Sequence, residues 1–133
     1  MKHVILVVED QPDIRKLIGM TLDFGDFEVH EAEDGARGLF MAESLRPSLI
    51  LLDVMMPGDL DGYQVCARVK ADTRLRGTRV VMLTARGQKS DLEAGAKAGA
   101  DAYLTKPFSP LELIDTVERL LEAEVDALSQ QAA

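Results

Sequence analysis

Three short runs of apolar, largely β-branched residues, Val4–Val8, Ile50–Leu52 and Val80–Leu83, constrain this chain more than any other feature. Each has the length of a strand and is apolar on both faces, the pattern of a parallel sheet covered by helices on both sides. After the first run the period changes. Ile14, Leu17, Ile18, Thr21 and Leu22 recur at i, i+3, i+4, i+7 and i+8, one stripe of a helix with Pro12 near its first turn. Caps mark further helix starts at Asp34, at Asp61 before Gly62-Tyr63-Gln64, at Ser90-Asp91-Leu92-Glu93 and at Ser109-Pro110-Leu111-Glu112. With weaker strands near Phe27–Glu31 and Ala102–Thr105, the chain reads as five strand–helix pairs. That alternation predicts an α/β fold, a doubly wound five-stranded parallel sheet with right-handed crossovers.

The 133 residues suit one domain, and the 47% apolar content is enough to fill its core. We expect residues 1–123 to form that domain. The last helix should run out near Ala127, leaving 124–133 as its end and a frayed tail. Fifteen basic against 23 acidic residues give a net charge of −8, which disfavours nucleic acid and anionic lipid as direct partners. No apolar run approaches the ~20 residues of a membrane span. A single cysteine, Cys66, permits no internal disulfide and fits a reducing, cytoplasmic setting.

In an open parallel sheet, ligands bind beyond the carboxyl ends of the strands. Those ends carry Glu9 and Asp10, then Asp53, Thr84 and Lys106. Clustered carboxylates repel unless a cation lies between them, and an all-oxygen donor set favours Mg²⁺ over zinc or copper. Mg²⁺ keeps open positions that a phosphoryl group can fill. Asp53 is then the best nucleophile, since a carboxylate accepts a phosphoryl group as an acyl phosphate and no Ser-His or Cys-His pair competes. Lys106 would neutralise phosphoryl charge, and the Thr84 hydroxyl would donate a hydrogen bond to it.

Glu9-Asp10, Leu52-Asp53-Val54-Met55-Met56-Pro57, Asp61-Gly62, Thr84-Ala85, Gly99-Ala100-Asp101-Ala102-Tyr103 and Lys106-Pro107-Phe108 together resemble the receiver domain of two-component response regulators. The likeness covers roughly Lys2 to Leu121. It implies a flavodoxin-like (βα)5 fold with strand order 2-1-3-4-5, and Asp53 as phosphoacceptor. Asp10, with Glu9 acting mainly through water, Asp53 itself and the Met55 carbonyl would bind Mg²⁺. The implied donor is a phosphohistidine on a sensor histidine kinase or phosphotransfer protein. Thr84 and Tyr103 would act as the switch, altering the face made by the fourth helix, fifth strand and fifth helix. Phosphorylation-dependent dimerisation through that face is a further expectation, and the Lys106-Pro107 bond would be cis. On this reading the protein is a signalling domain, catalysing only its own phosphoryl transfer and autodephosphorylation, and acts by protein contact as a free-standing receiver. The loop from Pro57 to Asp61 is one residue longer than the family's usual form, and Met55 and Arg86 occupy positions that vary in the family.

Blander readings stand beside these. Glu9-Asp10 alone could cap a helix, Thr84 could be an ordinary strand residue, and Lys106 could be a solvated charge. His3 and His30 read as bystanders, Cys66 as a small core residue, and Met20, Met41 and Met82 as packing. A phosphorylation-independent scaffold is the alternative function. An aspartyl-phosphate phosphatase of the haloacid dehalogenase type is disfavoured, because that family's nucleophile is followed two residues on by a second carboxylate and here that position is Met55.

Overall fold

The computed structural model describes residues 3–23, 25–85 and 89–132, the backbone alone at 89–91 and 123–132. The elements alternate as β1 (His3–Val8), α1 (Pro12–Leu22), β2 (Phe27–Ala32), α2 (Gly35–Leu45), β3 (Leu49–Asp53), α3 (Gly62–Ala71), β4 (Arg79–Thr84), α4 (Lys89–Ala98), β5 (Ala102–Thr105) and α5 (Pro110–Ala132). A short 3₁₀ turn, Thr73–Leu75, leads into β4. The five strands form one sheet in the order β2-β1-β3-β4-β5, all parallel, so the flavodoxin-like arrangement is observed.

Alternation along the strands divides the interior into two cores. Ile5, Val7, Leu49, Leu51, Val81 and Leu83 pack with α1 and α5 through Ile18, Leu22, Leu113 and Val117. Leu6, Val8, Ile50, Leu52, Val80 and Met82 pack with α2 and α3 through Ala42, Val65 and Val69. Both faces are covered, which is why these strands read as unbroken apolar runs. Cys66 is fully buried in the second core.

The caps follow the sequence at three helices. Asp34 accepts the Arg37 amide at 2.8 Å, Asp61 and Gln64 form a reciprocal capping box, and Ser109 Oγ accepts the Glu112 amide at 3.1 Å. At α4 the expectation fails, because the helix already includes Lys89 and Ser90 lies inside it. α5 runs to Ala132, past the Ala127 where its apolar periodicity ends. Of the three methionines read as packing, Met82 is buried and Met41 packs against the second core, but Met20 is 61% exposed. It sits at the rim of the α1 stripe, beside the groove between α1 and α5.

Candidate functional site

Strand alternation puts Glu9 one step beyond Ile5 and Val7, Asp53 beyond Leu49 and Leu51, and Lys106 beyond Leu104, all with the parity of the α1/α5 core. Three strands therefore deliver three charged side chains to one sheet edge. Glu9, Asp10 and Asp53 offer oxygens within 4.8 Å of one another, and the trio includes neither histidine. His3 instead pairs with Ser48, and His30 with Glu28.

Lys106 Nζ lies 2.6 Å from Glu9 Oε1 and 3.3 Å from Asp53 Oδ1. The Met55 amide donates to the same Asp53 oxygen at 3.3 Å. Glu9 is fully buried and Asp53 only 4% exposed, so two carboxyls share a nearly dry site with one ammonium. Burial, with hydrogen bonds to Glu9 and Asp10 and the Glu9 charge, pushes the Asp53 carboxyl up to about 8, against the pull of Lys106. For Asp10 burial acts in the same upward direction, but hydrogen bonds with Asp53 and Glu9 and the Lys106 charge outweigh it, so its pKa falls below the usual value. The two carboxyls are thus pushed apart, Asp53 toward keeping its proton and Asp10 toward losing its own, as expected when like charges crowd.

This donor set fits a hard cation. It is all oxygen, with three carboxyls against one lysine, and Glu9 Oε1 is buried without a well-directed hydrogen bond despite its nearness to Lys106. A divalent ion, or water on it, would satisfy that oxygen and displace the Asp53 proton.

The other expected residues lie close by. Thr84 closes β4 and is buried; the Lys106 amide bonds its carbonyl at 2.7 Å, and the neighbouring Leu83 is in register with Asp53. Tyr103 is not at the acidic trio. Its ring covers Gly95 of α4 and its hydroxyl donates to the Leu92 carbonyl at 3.0 Å. The Met55 side chain is 76% exposed. The Lys106-Pro107 bond is cis. Arg86 lies outside the described residues.

The loop from Pro57 to Asp61 runs at the surface. Pro57, Gly58 and Asp59 are exposed, with Gly58 at φ +99°, while Met56 and Leu60 pack against the second core on either side. Gly62 begins α3 directly against the Asp53 carbonyl oxygen, where a Cβ would overlap it.

One residue near the site carried no signal in the sequence. Arg15 of α1 reaches back to the strand end, its Nη1 donating to the carbonyls of Glu9 (2.9 Å) and Asp10 (3.3 Å). Beyond Lys106 the surface is apolar. A cleft of about 310 Å³ runs past Ile14, Leu17, Pro107 and Phe108, and a groove of about 410 Å³ lies between α1 and α5, at Met20, Pro110 and Ile114.

The response regulator receiver domain profile matches residues 5–118. The DNA-binding dual master transcriptional regulator RpaA of Synechocystis sp. is 41% identical over 128 residues, 96% of this chain and 52% of that protein, so the chain spans about half the length of this curated relative. A putative response regulator from Chloroflexus aurantiacus superposes with a TM-score of 0.86 at 34% identity, covering 92% of this chain and 99% of that one. The receiver domain of a Pseudomonas aeruginosa sensor histidine kinase, solved with a magnesium ion coordinated in its active-site cleft, gives 0.84 at 32% identity over 92% and 99% of the two chains. By profile, sequence and fold alike, this chain belongs to the response regulator receiver domain family.

Proposed function

We propose that this receiver takes a phosphoryl group onto Asp53 from a phosphohistidine of a sensor histidine kinase or phosphotransfer protein. The observation that carries this reading is the buried Asp53 carboxyl set between the acidic pair Glu9 and Asp10 and the ammonium of Lys106. Glu9, Asp10, Asp53 and the Met55 carbonyl would hold Mg²⁺, which when bound neutralises phosphoryl charge and orients the transferring group.

The steps on this chain's own residues balance. Asp53 gives up its proton to solvent, and one carboxylate oxygen attacks phosphorus in line. An O–P bond forms, the P–N bond breaks, and its electron pair stays on the departing imidazole. Lys106 offsets the charge on the phosphoryl oxygens, and Thr84 donates its hydroxyl to one of them. Hydrolysis of the acyl phosphate resets the domain. Thr84 and Tyr103 form the switch that re-packs the α4–β5–α5 face, the route to a downstream protein or to a phosphorylation-dependent dimer.

The apolar cleft at Ile14, Leu17, Pro107 and Phe108 borders Lys106 and shares Leu17 with the groove between α1 and α5, a suitable seat for a helix of the phosphodonor. Residues 1–123 form the working domain and 124–133 the end of its last helix. The chain's output passes through protein contact rather than directly to nucleic acid, in the cytoplasm. Among the described residues, no helix is long and apolar enough to cross a membrane.

Intact-mass spectrometry after incubation with Mg²⁺ and acetyl phosphate tests the reading. One phosphoryl addition is expected, absent from Asp53→Ala and absent when a chelator is present. An addition that survives Asp53→Ala would move the acceptor elsewhere.

A further inference from the structure

The acidic pair sits on a turn that its own helix does not cap. Gln11 is the N-cap of α1, but its side chain makes no capping hydrogen bond. The next residue, Pro12, has no N–H to offer. Ser, Thr, Asp or Asn would ordinarily close such a turn, yet here the acidic side chains are turned to the site. The backbone of the turn is held by other means. The Glu9 amide bonds the Ala32 carbonyl of β2 at 3.1 Å, and the Gln11 amide reaches Glu9 Oε2 at 3.3 Å. The carbonyls of Glu9 and Asp10 are both taken by Arg15 Nη1, from one turn inside the helix.

We infer that Arg15 is a positioning residue for the cation site: it ties the Glu9 and Asp10 carbonyls to α1 and so fixes the turn from which both carboxylates converge on Asp53. This rests on the proposed Mg²⁺ reading of the same site. Arg15 binds backbone, not the carboxylates, so its role is separable from its charge. As a bare charge, a guanidinium beside a cation site opposes metal binding, and its removal should tighten the site. As a tether it does the reverse, because carboxylates on a loosened turn must be ordered again when the ion binds. The two roles predict opposite signs.

The test is Mg²⁺ titration by calorimetry on wild type, Arg15→Ala, Arg15→Lys and Lys16→Ala, with thermal unfolding of each metal-free protein alongside. Lys16 is an exposed neighbouring cation on the same helix, and its removal is expected to leave affinity unchanged or slightly tighter. Arg15→Ala is expected to weaken Mg²⁺ about tenfold, the lower end of the usual loss for a group supporting metal ligands. Arg15→Lys, which keeps a cationic donor of shorter reach, is expected to recover part of that loss. Amide exchange at Gln11 should speed up in Arg15→Ala while exchange in β3 stays as in wild type. Unchanged or tighter Mg²⁺ binding by Arg15→Ala overturns the tether. If Arg15→Ala does not fold, the decision passes to Arg15→Lys, where affinity equal to wild type overturns it and a clear weakening at unchanged melting temperature supports it. Absence of Mg²⁺ binding by wild type overturns the parent reading, and the inference with it.

Discussion

Asp53 is a carboxyl whose surroundings hold its proton up to about pH 8, chiefly through burial and then through Glu9 and Asp10. Mg²⁺ must displace that proton to use the oxygen, so its affinity should rise with pH, by up to about tenfold per unit below 8, and level off above. Calorimetric titration across pH 6 to 9 reads this directly, and a flat profile would mean that Asp53 is ionised before the ion arrives. Lys106 is the counter-charge in the same dry site, 2.6 Å from a glutamate with no exposure. Replacing it by alanine leaves the buried Glu9 carboxyl without its counter-charge, and about 3–5 kcal/mol of metal-free stability should be lost in denaturant titration. The same variant should bind Mg²⁺ more tightly, since a competing cation is gone, yet take up phosphoryl more slowly.

Between elements, close contact is set by glycine. At Gly62 a Cβ would overlap the Asp53 carbonyl oxygen, so Gly62→Ala must push α3 away from the end of β3 or distort the acceptor strand. Chemical denaturation should record a loss of about 2–4 kcal/mol, far more than an ordinary alanine substitution. Gly95 poses the opposite test. In a helix interior Gly→Ala gains about 1 kcal/mol of propensity, but here the new Cβ would stand 2.5 Å from Tyr103 Cε1 and 2.9 Å from its hydroxyl. The ring must leave its seat and give up the bond to Leu92. Burial raises the Tyr103 pKa, so Gly95→Ala should bring it back toward the ordinary tyrosine value in a spectrophotometric titration on a Tyr63→Phe background. A Tyr103 that titrates as before would show that α4 yields instead of the ring.

For the whole molecule, the shift at Asp53 becomes a stability profile. Between its ordinary value of 3.8 and about 8 the folded protein keeps a proton that the unfolded chain has released. Metal-free stability therefore falls as pH rises through that window and is flat above it. Asp10, whose pKa is lowered, contributes in the other sense and only at acid pH, losing its stabilisation as pH falls below its ordinary value. Saturating Mg²⁺ should offset part of the decline, adding about 2.7 kcal/mol at a hundredfold excess over Kd. Thermal melts at pH 5 and pH 8 with and without Mg²⁺ check both statements, and a metal-free protein more stable at pH 8 would contradict the first.

The sequence by itself determined the element order, the parallel sheet and the strand ends at which Glu9, Asp10, Asp53, Thr84 and Lys106 stand, because two-sided burial and capping leave local patterns. It also carried the family likeness, through motifs spaced along most of the chain. Only the tertiary structure decided the rest. That Glu9 is buried against Lys106, that the Asp53 carboxyl is pushed above its ordinary pKa, that Tyr103 rests on Gly95 and that Arg15 holds the β1–α1 turn all depend on distances between segments remote in sequence or on the path of a turn. The exposure of Met20 escaped for a related reason: periodicity tells which residues can be buried, and only a packed neighbour decides which of them are.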